Sequence, residues 1–220
     1  TVNLAPANLR KEGSALDLPI AIGVLAATGQ IDSSLIDDYI FIGELSLDGE
    51  IKGVNGVLSM VLCASQEGIK NIILPKENAD EAAVIETVNI FPAGHLDDVI
   101  FHINGHIGIN KHCINVKSLF NIKEQLYAND FSEVCGQENV KRVLEIAAAG
   151  SHSCLIMGTP GSGKTMLAKR LPSILPPLTF EEALQVTRIH SIAGILPAKS
   201  PLLTTRPFRS PHHTISATSL

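Results

Sequence analysis

The sequence predicts an α+β domain followed by an α/β module. Three observations predict it. Strand and helix patterns alternate across residues 17–102, with one hairpin among them. Residues 158–165 read Gly158-Thr159-Pro160-Gly161-Ser162-Gly163-Lys164-Thr165, set between a short apolar run and a helical pattern. Charge also changes sign along the chain: residues 1–130 hold 8 Lys and Arg against 17 Asp and Glu, and residues 164–220 hold 7 against 2. Two modules are expected within 220 residues, with any polyanion contact confined to the second.

In the first module, Thr1 to Ala5 reads as a strand. Asp17 is placed to cap a helix starting near Leu18 and ending at Gly29, with Pro19 tolerated in its first turn. Tyr39 to Glu44 reads as a strand, and Asp48-Gly49 as a tight turn toward Glu50-Ile51. A helix follows over Val54 to Glu67, with Gly68 just past its end. Asn71 to Leu74 is a buried strand stopped by Pro75. A short helix at Ala79 to Glu86, a strand at Val88 to Phe91 and a helix at Leu96 to His102 complete a mixed-sheet pattern. Residues 103–129 show no clean period and read as a linker.

The second module begins at Asp130. Val140, Val143, Leu144 and Ala147 share one face of a helix over 137–149, with Gly150 as its stop. Cys154-Leu155-Ile156-Met157 suits a buried parallel strand leading into the glycine-rich turn. In such a turn Gly158, Gly161 and Gly163 let backbone N–H groups converge on phosphate oxygens, with Thr159, Pro160 and Ser162 completing the loop. Lys164 has the reach to meet β- and γ-phosphates of ATP, and Thr165 to ligate Mg²⁺. Met166 opens a helix to Leu171 whose N-terminus faces the anion. Thr179 and Glu182 form a capping box for a helix to His190, and prolines at 197, 201, 207 and 211 forbid another long one.

Other features bound the function. Four scattered cysteines without a C-x-x-C pair fit a reducing compartment, and a cytoplasmic setting is expected. No apolar run has membrane-spanning length or signal-peptide flanks. Thr1 in place of a start methionine reads as a piece of a longer protein. His102, His106, His112 and Cys113 lie on a Gly- and Asn-rich stretch without metal-ligand spacing, so a solvated loop is the expectation. Asp37-Asp38 and Asp97-Asp98 read as helix-start or surface charges.

Asp130-Phe131-Ser132-Glu133-Val134-Cys135-Gly136-Gln137 resembles the segment that opens AAA+ ATPase modules, where it packs around adenine. Phe131, Val134 and Gly136 are therefore candidate adenine contacts; the alternative is an ordinary helix-entry turn with a hydrophobic staple. Arg206-Pro207-Phe208-Arg209-Ser210-Pro211-His212-His213-Thr214-Ile215-Ser216 resembles a segment of the magnesium-chelatase-like branch of AAA+ proteins, within it the ComM or YifB family. That run reads either as a loop facing a pore or an anionic strand, or as a solvated connection.

Residues 1–102 resemble the proteolytic domain of Lon proteases, a ribosomal S5 domain 2-like α+β fold. The resemblance rests on Lys11-Glu12-Gly13-Ser14-Ala15, Gly43-Glu44-Leu45-Ser46-Leu47-Asp48-Gly49-Glu50-Ile51 and Glu67-Gly68-Ile69-Lys70-Asn71-Ile72-Ile73-Leu74-Pro75. The first strands of that domain are missing from the match. Lon proteases use a Ser–Lys dyad, and its positions fall on Ala15 and Leu58. A non-catalytic scaffold is the expectation. Together the resemblances imply a Lon-like domain (1–102), a linker (103–129) and the N-terminal part of an AAA+ module (130–220).

They further imply ATP and Mg²⁺ as cofactors, a homo-hexameric ring, and helicase and branch-migration work on DNA during natural transformation. The alternatives are the motor subunit of a magnesium chelatase and a non-enzymatic scaffold. No apolar strand ending in paired acids follows Thr165. The Mg²⁺-holding Asp, the water-activating Glu, the sensors and the arginine finger are expected beyond Leu220. This chain alone is thus expected to bind nucleotide weakly without turnover.

Overall fold

The computed structural model describes residues 13–120, 129–197 and 200–211. The expected first strand at Thr1 to Ala5, the Lys11-Glu12 pair and His212 to Ser216 lie outside the described residues. The described residues divide into two compact units, one within Thr1–Leu119 and Leu184–Leu203, the other within Phe120–Ala183 and Thr204–Leu220.

The first unit opens with helix α1 (Asp17–Ala27). A three-stranded parallel sheet is built from β1 (Tyr39–Phe41), β4 (Asn71–Pro75) and β5 (Asn89–Ala93), in the order β1-β4-β5. A separate antiparallel pair, β2 (Glu44–Leu45) and β3 (Ile51–Lys52), turns at Gly49, whose φ is 89°. Between the strands run α2 (Val57–Gln66) and α3 (Ala79–Ala82), and α4 (Leu96–Ile103) follows β5.

Strand alternation sets the layers. Ile72 and Leu74 of β4 pack with Leu58 and Val61 of α2 and Ala82 of α3. Ile73 between them packs with Leu18 and Ile22 of α1 and Val99 and Ile103 of α4. The central strand is therefore covered on both faces, which its unbroken apolar run requires. Each fully buried Leu or Ile of this kind contributes about 1.5–3 kcal/mol of apolar burial.

Several expectations need correction. Among the described residues the antiparallel pair stands apart from the parallel sheet, and the strand expected at Tyr39 to Glu44 is divided. The cause is Gly43, whose N–H donates to Ala15 and whose carbonyl accepts from Leu18, so its bonds go to the entry of α1. Asp17 is the first residue of α1 and not its cap, which is Leu16. Helix α2 starts at Val57, three residues late, because Gly56 before it is left-handed at φ 79°. Helix α3 ends at Ala82, where tighter bonds to the third residue back take over, from Ile85 to Ala82 and from Val88 to Ile85. Pro75 belongs to β4, at its last position, where a missing N–H costs least. The stretch expected to be a bare linker holds α5 (Val116–Phe120), and His112 forms a bridge to Ile90.

In the second unit, α6 (Glu138–Gly150) and α7 (Lys164–Arg170) enclose a small core of Phe131, Val134, Leu144 and Leu167. The stop of α6 is Ser151, left-handed at φ 54°, rather than Gly150. Helix α8 (Phe180–Ile192) has the expected box: Thr179 N–H donates to Glu182 Oε2 at 3.0 Å, and Glu182 N–H to Thr179 Oγ1 at 3.2 Å. The strand expected at Cys154 to Met157 is absent. A strand exists only through ladder partners, and no described segment pairs with this run. Leu155 and Met157 are 84% and 83% exposed, beside an open apolar groove that Val140, Val143 and Leu144 also line.

Candidate nucleotide site

The glycine-rich turn is held by its own backbone and by one lysine. Gly161 and Gly163 adopt φ of 81° and 85°, which a side chain would strain. Ser162 N–H donates to Thr159 O at 3.3 Å, closing the turn. Lys164 Nζ lies over it, donating to Gly158 O at 2.9 Å, Thr159 O at 2.7 Å and Ser162 Oγ at 3.3 Å. A Cβ at Gly158 would come within 2.8 Å of Ser162 Oγ and would displace that hydroxyl.

Helix α7 starts directly after Gly163. Its first bond runs from Leu167 N–H to Gly163 O at 3.0 Å. The amides of Lys164, Thr165 and Met166 thus precede the first intrahelical donor, as at any helix start, and carry the positive end of the helix dipole. Thr165 is exposed at this end and Met166 half-buried. The donor set fits a polyphosphate: amides at a helix start, one ammonium group and the hydroxyls of Thr159, Ser162 and Thr165, with no carboxylate on the turn.

Arg170 at the far end of α7 fastens the segment that precedes α6. Its Nε donates to Asp130 O at 3.0 Å and its Nη2 meets Glu133 at 2.6 Å. Phe131 N–H donates to Ser173 Oγ at 2.9 Å. Ser132, by side chain and backbone N–H, holds the Asp130 carboxyl below its ordinary range, and Arg170 adds to this. Phe131 and Val134 point into the core against Leu144 and Leu167, while Gly136 is exposed. Gln137, adjacent to Gly136, reaches the turn itself: its Nε2 is 3.5 Å from Ser162 O. Sequence reasoning passed over Gln137, although it closes the Gly-Gln pair that marked the segment.

The remaining candidates are placed elsewhere. Arg206 donates to Pro176 O at 2.8 Å and to Glu182 Oε2 at 3.1 Å, bracing the cap of α8. The Glu182 carboxyl is held below its ordinary range by Thr179 N–H, then by Arg206. His102 packs among Tyr39 and Phe91, and burial lowers its pKa. His112 Nε2 lies 2.7 Å from Asp80 Oδ1. Among the described residues no three His, Cys, Asp or Glu side chains gather as a metal site. Asp98 completes the capping box of α4 with His95. No described helix is long and apolar enough to cross a membrane.

Comparison with known proteins points the same way. The family "Magnesium chelatase, subunit ChlI" matches residues 130–220, and the family "Subunit ChlI of Mg-chelatase" matches residues 1–78. The whole chain is 43% identical to the uncharacterized protein YifB of Salmonella typhimurium, covering 42% of that protein. It is 41% identical to the competence protein ComM of Haemophilus influenzae, again over the whole chain and 43% of the relative. The chain belongs to the magnesium-chelatase-like ComM/YifB family. It spans less than half the length of these relatives.

This ComM/YifB chain carries a further likeness, 32% identity over 99 residues to Lon protease 1 of Herpetosiphon aurantiacus. That match covers 44% of this chain and 11% of the protease. At the two positions expected for the dyad, Leu58 is fully buried and Ala15 packs against the same apolar cluster. The neighbouring Ser14 hydroxyl donates to Glu44, and Leu58 N–H donates to Glu81 Oε1 at 3.0 Å. Ser59 Oγ accepts from Arg188 Nε at 3.0 Å. None of these groups supplies a base beside a nucleophile.

Proposed function

We propose that this chain supplies the phosphate-binding part of an ATP-driven AAA+ motor that works on DNA as a homo-hexameric ring in the cytoplasm. In this reading residues 1–102 are a non-catalytic Lon-like scaffold, 103–129 a connection, and 130–220 the N-terminal part of the motor module. The observation that carries it is the turn at Gly158 to Thr165. That turn combines two left-handed glycines, a helix start whose first amides lack intrahelical partners, and Lys164 lying over it.

ATP would be held by that turn, with Lys164 neutralising charge on the outer phosphates and Thr165 offering its hydroxyl to Mg²⁺. Bound Mg²⁺ supplies charge neutralisation across the phosphates. Lys164 Nζ now rests on Gly158 O and Thr159 O, so phosphate oxygens compete with those carbonyls for the same ammonium group. Gly136 and the segment from Phe131 to Val134 are proposed to border the adenine. The name of the Haemophilus relative, a competence protein, supports a role in competence; helicase and branch-migration work on DNA is the activity proposed for that role.

The test is ATP hydrolysis by the full-length protein with and without branched DNA. Stimulation by DNA, lost in Lys164→Ala, supports the reading. Hydrolysis indifferent to DNA but responsive to a porphyrin-chelatase partner would favour the chelatase motor instead, which the family description also fits.

A further inference from the structure

We infer that Gln137 is a positioning residue of the phosphate loop, fixing the orientation of the Ser162–Gly163 peptide. This rests on the nucleotide-binding reading of that loop.

The backbone at Gln137 is the first observation. It lies at φ 56° and ψ 38°, directly after Gly136 at φ 69°. Among the described residues only Gln137 and Ser151 are left-handed without being glycine. Glutamine is a poor choice for this conformation, which glycine and asparagine occupy with less strain. Its side chain is exposed and contributes nothing to the core of α6. Apolar packing therefore does not explain it.

The side chain explains it. Gln137 Nε2 approaches Ser162 O at 3.5 Å, and a Cβ on Gly163 would stand 3.5 Å from the same nitrogen. Ser162 is bound from three sides: its N–H by Thr159 O, its Oγ by Lys164 Nζ and its carbonyl by Gln137. Only the last of these partners comes from outside the glycine-rich motif.

The consequence follows from peptide geometry. Ser162 C=O and Gly163 N–H belong to one planar trans unit, so they point in opposite directions. Drawing the carbonyl toward Gln137 turns the Gly163 amide to the other side, away from α6. A peptide entering a left-handed glycine flips at little steric cost, because glycine tolerates both senses of φ. Gln137 opposes that flip. At 3.5 Å the contact is long for a hydrogen bond, so a small inward shift of the loop strengthens it.

The test compares wild type with Gln137→Gly, Gln137→Glu and Lys164→Ala. Gln137→Gly keeps the turn and removes the amide; Gln137→Glu keeps the length and cannot donate. Calorimetric titration with MgADP and with adenosine, alongside thermal unfolding, gives the readouts. Weaker MgADP binding by about five- to tenfold in Gln137→Gly, with the melting point unchanged or raised and adenosine affinity unchanged, is expected. A larger loss is expected in Gln137→Glu. Conformational exchange at the Gly163 amide, seen by NMR relaxation dispersion without nucleotide, should appear in Gln137→Gly and not in wild type. Unchanged MgADP affinity in Gln137→Gly, an equal loss for adenosine, or a Gly163 amide equally quiet in both forms would overturn the inference. Failure of Lys164→Ala to weaken MgADP would instead remove the nucleotide reading, and the inference with it.

Discussion

Arg188 Nε donates to Ser59 Oγ across 3.0 Å, joining residues 129 positions apart within the first unit. The contact is one of several around the entry to α2. Gly56 N–H donates to Ser191 O at 3.2 Å, and a Cβ on Gly194 would collide with Asn55 at 2.7 Å. Leu184 packs on the cluster that holds Leu58. Residues Leu184 to Leu203 are thus part of the first unit's fold, at the helix that carries the expected dyad position Leu58.

The pairing predicts coupling in stability. Arg188→Ala and Ser59→Ala each remove one end of an exposed bond, costing about 0.5–1.5 kcal/mol. A double-mutant cycle by urea unfolding should show the double variant no worse than the worse single one. Strict additivity would mean the two side chains do not interact.

Leu58→Lys places a lysine at the position expected for the dyad base. Leu58 is fully buried on α2 against β4, so the new ammonium loses its water, and the buried Glu81 carboxylate there is already shared by Leu58 N–H and Asn78. The expected loss is about 3–5 kcal/mol, as for other uncompensated buried charges. Adding Ala15→Ser should not produce peptidase activity on casein. A folded double variant that cleaves peptide would contradict the scaffold reading.

Gly43→Ala tests the junction between the two sheets. A Cβ there would lie 2.8 Å from Ile51 Cγ2 and 3.4 Å from Leu18 Cδ2. Overpacking of this kind costs about 1–3 kcal/mol. Denaturant midpoints measure it, and a neutral result would show that β3 gives way easily.

His102 sets an acid limit. Ile109 N–H donates to its Nδ1 at 2.9 Å, leaving the proton on Nε2, 3.3 Å from the Tyr39 hydroxyl. Burial lowers its pKa below the ordinary value of 6.5. The folded state therefore binds this proton less readily than the unfolded chain. Its contribution is full above pH about 6.5 and is lost as pH falls from there through the lowered folded value. The stability difference between wild type and His102→Gln should shrink across that interval. A difference constant with pH would contradict the assignment.

Legibility in the sequence followed how local each signal was. The Asp48-Gly49 turn, the Thr179–Glu182 box and the Gly158–Thr165 turn depend on adjacent residues, and all three formed where expected. The division of the strand after Phe41 depended on Ala15 and Leu18 claiming Gly43, which no local pattern announces. Cys154 to Met157 has strand composition, yet a strand is a property of two segments, and composition describes one. Gln137 was hidden for a related reason: its meaning lies in a left-handed backbone and a distant carbonyl.

The most direct test of the central claim is calorimetric titration of MgATP into the full-length protein and its Lys164→Ala variant. Saturable binding in the first, weakened at least tenfold in the second, is the predicted result. No binding to the wild-type protein, or equal binding by both, would contradict a phosphate-gripping role for the turn between Met157 and Met166.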